Sequence, residues 1–345
     1  MNVPGELKRR LRKLTLLPLV SHKVPVDPSC QYSGSFPTIE SVDDKISFVG
    51  GINKPKLIKV LDSNQTWHRE LVKSRDDLRQ DAVMQQLFGL VNELLLQDQA
   101  AHARQLRIET YKVVPFTPDS GVVGWVENTL PLMGYLRDAH RRYARKGDLT
   151  TDKAALMMRT ARMEGAKQRE SFDEICGRFM PVFRHFFLET YRHPSEWFER
   201  RLAYTRSVAV NSMVGYIIGL GDRHSSNILL HLQSAEVVHI DLGIAFEQGL
   251  LLPTPEQVPF RLTRDLVDGM GVTGCEGVMR RCSENVLRVL RAHREELLTI
   301  AEVLIHDPLY NWALTPNQAA KHQRRMTESA GADGPIAEDD VDPAL

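Results

Sequence analysis

Apolar residues at Val83, Leu87, Leu90, Val91, Leu94 and Leu95 repeat at helical spacing, which predicts one amphipathic helix within the stretch 74–97. Before it, KISFVGG, PKLIKVLD and WHRELVK are short apolar runs around the turn-forming GGINKPK, and they read as strands, the third ending at Lys73. After it, IETYKVVPF and GVVGWV read as strands on either side of a PDSG turn. Residues 171–218 predict helix throughout, with FDEICGRFMPVFRHFFLETY apolar enough for burial and Ser195 as the N-cap of a last, C-terminally buried helix. Gly219, Gly221 and Asp222 then break the run YIIGL into a loop. Two short apolar strands come next, ILLHL and VVHI, and QSAE between them makes a hairpin. ENVLRVLRAHREELLTIAEVLIHDPLYNWAL adds two more helices. Strands first and helices afterwards place the chain in the α+β class.

The ends read differently. Lys8, Arg9, Arg10, Arg12 and Lys13 precede LTLLPLV, a stretch too short and proline-interrupted for a signal peptide, and we read it as the tail of an amphipathic helix, with nuclear import or DNA contact as the alternatives. Residues 21–45 are rich in Pro, Ser and Gly and read as an extended lead-in. The last stretch, 316–345, has Ala, Gly, Asp and Pro in excess and reads as a disordered tail.

Composition narrows the class. At 345 residues one or two domains are expected, and 42% apolar content suffices for a large core. The formal charge is zero, so no whole-chain field draws the protein to nucleic acid or a membrane. Cys30, Cys176, Cys275 and Cys282 form no C-x-x-C pair and read as free thiols of a reducing compartment.

The chemistry concentrates in 219–243, GLGDRHSSNILLHLQSAEVVHIDLG. The hairpin returns Asp241 beside Asn227, so Asp222, Asn227 and Asp241 can converge, with His224 nearby. Such a cluster suits phosphoryl transfer: one carboxylate orients the attacking hydroxyl, while an amide oxygen and a second carboxylate hold magnesium. Asn227 stands five positions after Asp222, as in H-R-D-L-x-x-x-N, and Asp241 opens D-L-G. A phosphate-binding lysine at a strand end also fits Lys73, with Asp76, Asp77 and Asp81 as candidate carboxylate partners. Gly50, Gly51, Lys54 and Lys56 compose a loop that suits phosphates and equally suits a plain turn. Taken without further context, Leu71, Tyr111, Trp125, Leu229 and Ile240 would be core residues.

The order D-R-H-x-x-N followed by H-I-D-L-G resembles the phosphatidylinositol 3-kinase superfamily. RLAYTRSVAV and VPFRLTRDLVDGMGVTGCEGVMRRC narrow the resemblance to the phosphatidylinositol 3-kinase-related protein kinases, in their ataxia-telangiectasia-mutated branch, over residues 21–315. The resemblance implies a two-lobed protein-kinase-like fold of the phosphatidylinositol 3-/4-kinase type. Its strand-rich N-lobe would span 40–126 and its helical C-lobe 127–315, with catalytic loop 219–230 and activation segment 241–265. Residues 1–39 would be the end of a FAT-like region, and no FATC segment is seen at the other terminus. The pattern K-x-x-D-D-L-R-Q-D implies that Lys73 holds the nucleotide phosphates with Asp76 and Asp81 as partners. The stretch Gly124-Trp125-Val126 would be the hinge, Trp125 stacking on adenine between walls from Leu71, Leu229 and Ile240, with Tyr111 deep in the pocket. Asn227 and Asp241 would ligate Mg2+ (or Mn2+), and Asp222 would be the base. His224 would stabilise charge on the transferring phosphoryl group.

The function implied by this resemblance is that of an ATP-dependent serine/threonine protein kinase preferring Ser/Thr-Gln sites. It would act in nuclear DNA-damage signalling, checkpoint control and telomere maintenance, with damage-sensor complexes as partners and a homodimer possible through regions outside this chain. No direct nucleic-acid or membrane contact is evident. Two alternatives stay open: a phosphoinositide lipid kinase, and a catalytically silent scaffold of the same fold. Leu242–Phe260 contains no Lys or Arg, which argues against a polyanionic lipid headgroup, since that needs a basic groove.

Overall fold

The computed structural model describes residues 5–6, 17–22, 29, 31, 36–50, 53–165, 168–252 and 255–306. The tail 316–345, Gly51, Cys30 and the whole basic cluster Lys8, Arg9, Arg10, Arg12 and Lys13 lie outside them.

A six-stranded antiparallel sheet opens the described chain. Its strands are β1 (Ile39–Val42), β2 (Ser47–Phe48), β3 (Lys56–Asp62), β4 (Trp67–Ser74), β5 (Val113–Thr117) and β6 (Ser120–Gly124). They lie in the order β1-β3-β4-β6-β5, with β2 against β3. The lead-in is therefore partly sheet: Thr38 bridges Pro18, and Leu19 donates its amide to Pro37 at 2.9 Å. Residues 17–19 are thus extended backbone where the sequence predicts the tail of a helix. The strand expected from Ile108 starts only at Val113, because Ile108 and Tyr111 give their amides to Asn92 and Gln85 of the neighbouring helix.

That helix, α1 (Arg79–Gln97), starts later than the period suggests. Asp77 accepts from the Arg79 amide and guanidinium, holding residues 75–78 as a loop before the first turn. A short α2 (Gln99–His102) comes after it. The apolar face of α1, including Met84, Phe88 and Val91, joins the same buried cluster as the helices further along.

Those helices are α3 (Leu132–Arg142), α4 (Thr151–Glu164), α5 (Gln168–Arg178), α6 (Arg184–Thr190), α7 (Pro194–Ile218), α8 (Arg264–Gly269), α9 (Val278–Ala292) and α10 (Arg294–Ile305). The single helical stretch expected over 171–218 is three helices, broken around Pro181 and again at 191–193. Proline cannot donate within a helix and restricts the residue before it. The same rule moves the start of α7: Pro194 takes the first helical position and His193 the cap, not Ser195. Phe172 on α5 is exposed, whereas Phe183, Phe186, Phe187 and Tyr204 are fully buried and pack edge-on or stacked. Within 172–180 only Ile175 is buried, in a small separate cluster with Leu149 and Ala154; the aromatic core begins after Pro181. Cys176, Cys275 and Cys282 are free thiols.

A second, three-stranded antiparallel sheet joins β7 (Thr129–Pro131), just before α3, to β8 (Ile228–His231) and β9 (Val237–His239), which follow α7. The β8–β9 hairpin is the one the sequence predicts. Its strands are buried against α7, where Ser207 Oγ accepts the Val237 amide at 3.0 Å.

Candidate active site

Helix α7 ends on Gly219 in the left-handed region, φ 62°, and a Cβ there would lie 2.4 Å from the Glu247 amide nitrogen. Only glycine fits such a position without strain. Asp222 in the loop beyond it (φ 59°) and Asp241 just after β9 (φ 57°) are non-glycine residues in the same region. Such conformations persist where surrounding contacts over-determine them. Here the Asp222 amide donates to Glu256 Oε2 at 2.7 Å, and Asn227 Nδ2 donates to the Asp222 carbonyl at 3.1 Å and to Oδ2 at 3.4 Å. The Ile240 amide donates to the Asn227 carbonyl at 3.1 Å, which sets Asp241 beside Asn227 across the hairpin.

Asp222, Asp241, Lys73, Asp81 and His224 form one electrostatic cluster, with Asp241 acting on each of the others. Burial pushes the Asp222 carboxyl up to about 7; Asp241 and Glu256 add to the rise and Arg223 opposes it. That value suits a group that must accept a proton near neutrality. Burial, then the Arg223 charge, holds His224 below its ordinary value and therefore neutral. Its Nδ1 accepts the Ser226 amide at 3.2 Å, so the ring proton sits on Nε2, 3.9 Å from Asp222 Oδ2. His224 is thus a hydrogen-bond donor beside the carboxylate.

Lys73 Nζ lies 3.1 Å from Asp76 Oδ2. Burial alone would depress this ammonium, but Asp241, Asp81 and Asp76 hold it above its usual range. Asp81 projects from the first turn of α1, and its Oδ1 accepts the Leu242 amide at 3.0 Å, tying that helix to the D-L-G turn. Burial raises the Asp81 carboxyl against the pull of Lys73. Of the three candidate acids Asp77 alone turns away, pairing with Arg79 at 2.7 Å.

The glycine loop is placed by Asn53, whose Nδ2 donates to the Arg75 carbonyl at 3.3 Å, two residues beyond Lys73. Gly50 and Lys54 are exposed on this loop, Lys54 with φ 43°. Leu71 pairs with Val123 across β4 and β6, and Leu229 pairs with Val238 in the hairpin. Leu71, Leu229, Ile240, Trp125 and Val126 are all half-buried. Trp125 lies under the Arg69 guanidinium, 5.6 Å from the ring centroid, and its amide donates to the Arg69 carbonyl. The Gly124 amide donates to the Lys112 carbonyl. Burial and the negative charges of Asp81 and Asp241 raise the Tyr111 hydroxyl, so it is protonated and part of the same cluster.

Two contributors escape sequence reasoning. Arg223, the middle of D-R-H, is 4% exposed and donates to the carbonyls of Gly221 (2.9 Å), Ile240 (2.9 Å) and Asp241. It clamps the Gly221–Asn227 loop to the D-L-G turn through backbone atoms, a role no side-chain pattern announces. Glu256 likewise reaches the Asp222 amide from 34 residues downstream. An arginine or glutamate in a charged loop defaults to the surface, and only the fold shows these two turned inward.

Two donors suited to a hard cation are present, the Asp241 carboxylate and the Asn227 amide, whose nitrogen is engaged by Asp222 so that its oxygen is the ligand end. Among the described residues no three His, Cys, Asp or Glu side chains form a complete metal site. Two protein oxygens, with phosphate and water supplying the rest, is the usual Mg2+ arrangement at nucleotide sites.

The family model for phosphatidylinositol 3- and 4-kinase matches residues 68–314. The chain is 51% identical over 337 residues to the serine/threonine-protein kinase ATM of Arabidopsis thaliana, covering 95% of this chain and 9% of that protein. It is 47% identical over 315 residues to the serine/threonine-protein kinase tel1 of Schizosaccharomyces pombe, covering 91% and 11%. A solved structure of the FAT and kinase domain of CtTel1 superposes with a TM-score of 0.82 at 42% identity, over 91% of this chain and 22% of that one. The chain thus spans 9–11% of the length of the first curated relatives it matches.

Proposed function

Because the chain belongs to the phosphatidylinositol 3- and 4-kinase family, we propose that it transfers the γ-phosphoryl group of ATP to serine or threonine hydroxyls of proteins. The observation that carries this reading is the single cluster of Lys73, Asp81, Asp222 and Asp241 around the loop–hairpin junction. The serine/threonine kinases among its relatives support it.

In this reading Lys73, aligned by Asp76 and Asp81, binds nucleotide phosphates, with the Gly50–Lys56 loop above them and the Leu71, Trp125, Leu229 and Ile240 side chains around the base. Asn227 and Asp241 would hold a divalent cation, Mg2+ in our reading, which neutralises charge on the phosphates when bound. Asp222 orients the attacking hydroxyl and takes its proton. His224 Nε2–H donates toward the charge that develops on the transferred group, an electrostatic contribution available because the imidazole is neutral and fixed. Arg223 keeps Asp222 and Asp241 at a constant separation.

Lipid phosphorylation is the competing reading, and the contacts of two arginines argue against it. Arg261 and Arg264, the first two cationic residues after the Lys- and Arg-free segment 242–260, turn toward the protein's own backbone: Arg264 donates to the Phe179 and Cys176 carbonyls at 2.9 Å, and Arg261 is directed at the Arg223 carbonyl. A polyanionic headgroup would find no basic groove along this segment. We place the activity in nuclear DNA-break signalling with Ser/Thr-Gln sites as substrates and with dimerisation, as the resemblance implies. The test is transfer of radiolabelled phosphate to Ser-Gln and Ser-Ala peptides and to phosphoinositide vesicles, with Asp222→Asn as control. Labelling of Ser-Gln peptide alone is expected. Equal labelling of both peptides removes the glutamine preference, label in lipid removes the protein-kinase reading, and label persisting in Asp222→Asn removes the assigned base. Absence of Mg·ATP binding would favour the silent scaffold.

A further inference from the structure

Between α7 and the β8–β9 hairpin lies a small cavity lined by Val208 and Ser212 of α7, Ile228, Val237 and His239 of the hairpin, Arg261 and Leu266. It has room for about one water molecule. Two buried nitrogens among its lining residues have no hydrogen-bond partner in the protein: His239 Nδ1 and Arg261 Nε. His239 is 8% exposed and Ser212 is 3% exposed. Leaving such groups unsatisfied is costly, and buried polar atoms in proteins are almost always paired with protein or with ordered water. The chemistry of the lining suits a water: Arg261 Nε–H can only donate, imidazole Nδ1 donates or accepts according to tautomer, and the Ser212 hydroxyl does either.

We propose that this cavity binds one ordered water that bridges His239 Nδ1, Arg261 Nε and the Ser212 hydroxyl. The two ends of the bridge belong to different parts of the machinery. His239 ends β9, two residues before Asp241, and Arg261 closes the segment that begins at Asp241. The water therefore pins the later part of the activation segment to the strand that leads into Asp241, and His239 is a positioning residue. The site depends on burial and hydrogen-bonding capacity alone, so it stands whether or not the kinase reading does.

The test uses the whole chain and reads hydration and local opening. A structure at a resolution that shows waters should contain density within hydrogen-bond distance of both His239 Nδ1 and Arg261 Nε; direct contact of the two groups, or an apolar void, overturns the proposal. Independently, His239→Leu removes the polar atom, whereas His239→Asn places an amide atom close to where Nδ1 sits. Amide hydrogen exchange across residues 255–263 should speed up about tenfold in His239→Leu and stay within about twofold of the parent in His239→Asn. Should His239→Leu fail to fold, Arg261→Lys, which lacks the Nε donor, is expected to give the same acceleration. Equal exchange in the leucine and asparagine variants, or unchanged exchange in Arg261→Lys, refutes the bridge.

Discussion

Replacing Arg223 by methionine removes the clamp on which the site depends. Arg223 is 4% exposed and donates to three backbone carbonyls at close range, at 2.9 Å to Gly221, 2.9 Å to Ile240, and to Asp241, with a weaker contact to Asn227 at 3.5 Å. A hydrogen bond from a charged donor contributes about 1.5–3 kcal/mol, so the three sum to roughly 4–9 kcal/mol before costs. Burial opposes them: it pulls the Arg223 pKa down despite Asp241 and Asp222 nearby. An ion taken out of water costs several kcal/mol, and methionine restores most of the buried apolar volume. What remains is the penalty of carbonyls stripped of their donor, and the net expectation is a loss of about 3–5 kcal/mol. At about 2–4 °C per kcal/mol for a chain of this size, that is a fall in Tm of roughly 6–20 °C. The assay is thermal unfolding by circular dichroism, with Mg·ATP binding at a temperature where the variant stays folded. Arg223→Lys should fall between, because an ammonium cannot reproduce the fork. If Arg223→Met unfolds within about 1 kcal/mol of the parent and binds nucleotide as well, the clamp is not holding the two loops together.

The same contacts set other outcomes. Gly269→Ala would put a Cβ 2.4 Å from Phe183 Cδ1 and 3.1 Å from Tyr204 Cε1, two fully buried rings; chemical denaturation should show a loss of about 1–3 kcal/mol or more. Asp222→Asn should lower kcat by about 10²–10⁴-fold with nucleotide affinity little changed, measured by steady-state transfer to peptide and by ATP binding. Asp98 is held down to about 2 by Arg288 and the Ala101 amide, against an ordinary 3.8. A depressed carboxylate contributes stability above its unfolded pKa and loses it on acidification, here between about pH 4 and 2. With Arg288 half-exposed the contribution is discounted to about 1 kcal/mol, and denaturation at pH 6 and pH 3 should show Asp98→Asn losing less stability on acidification than the parent.

The chain's local patterns determine a great deal. The helical period at Val83–Leu95, the glycine at the end of YIIGL, and two apolar strands around QSAE name α1, the end of α7 and the β8–β9 hairpin, because period, cap and turn are properties of neighbouring residues. The spacing of Asp222, Asn227 and Asp241 carries over directly, since a hairpin of fixed length can only return to its own start. The divided helix at 171–218 and the start of α7 at Pro194 depart from the expectation set by apolar content because proline sterics override it. Tertiary structure alone decided the rest. Whether Asp76, Asp77 or Asp81 serves Lys73 depends on how α1 leaves its loop; whether Arg223 faces solvent depends on carbonyls 17 and 18 residues away; and Glu256 meets Asp222 only because the activation segment folds back. Interactions between residues far apart in the chain leave no periodic trace, so the clamp, the Asp81–Leu242 tie and the polar cavity behind His239 exist only once the chain has closed on itself.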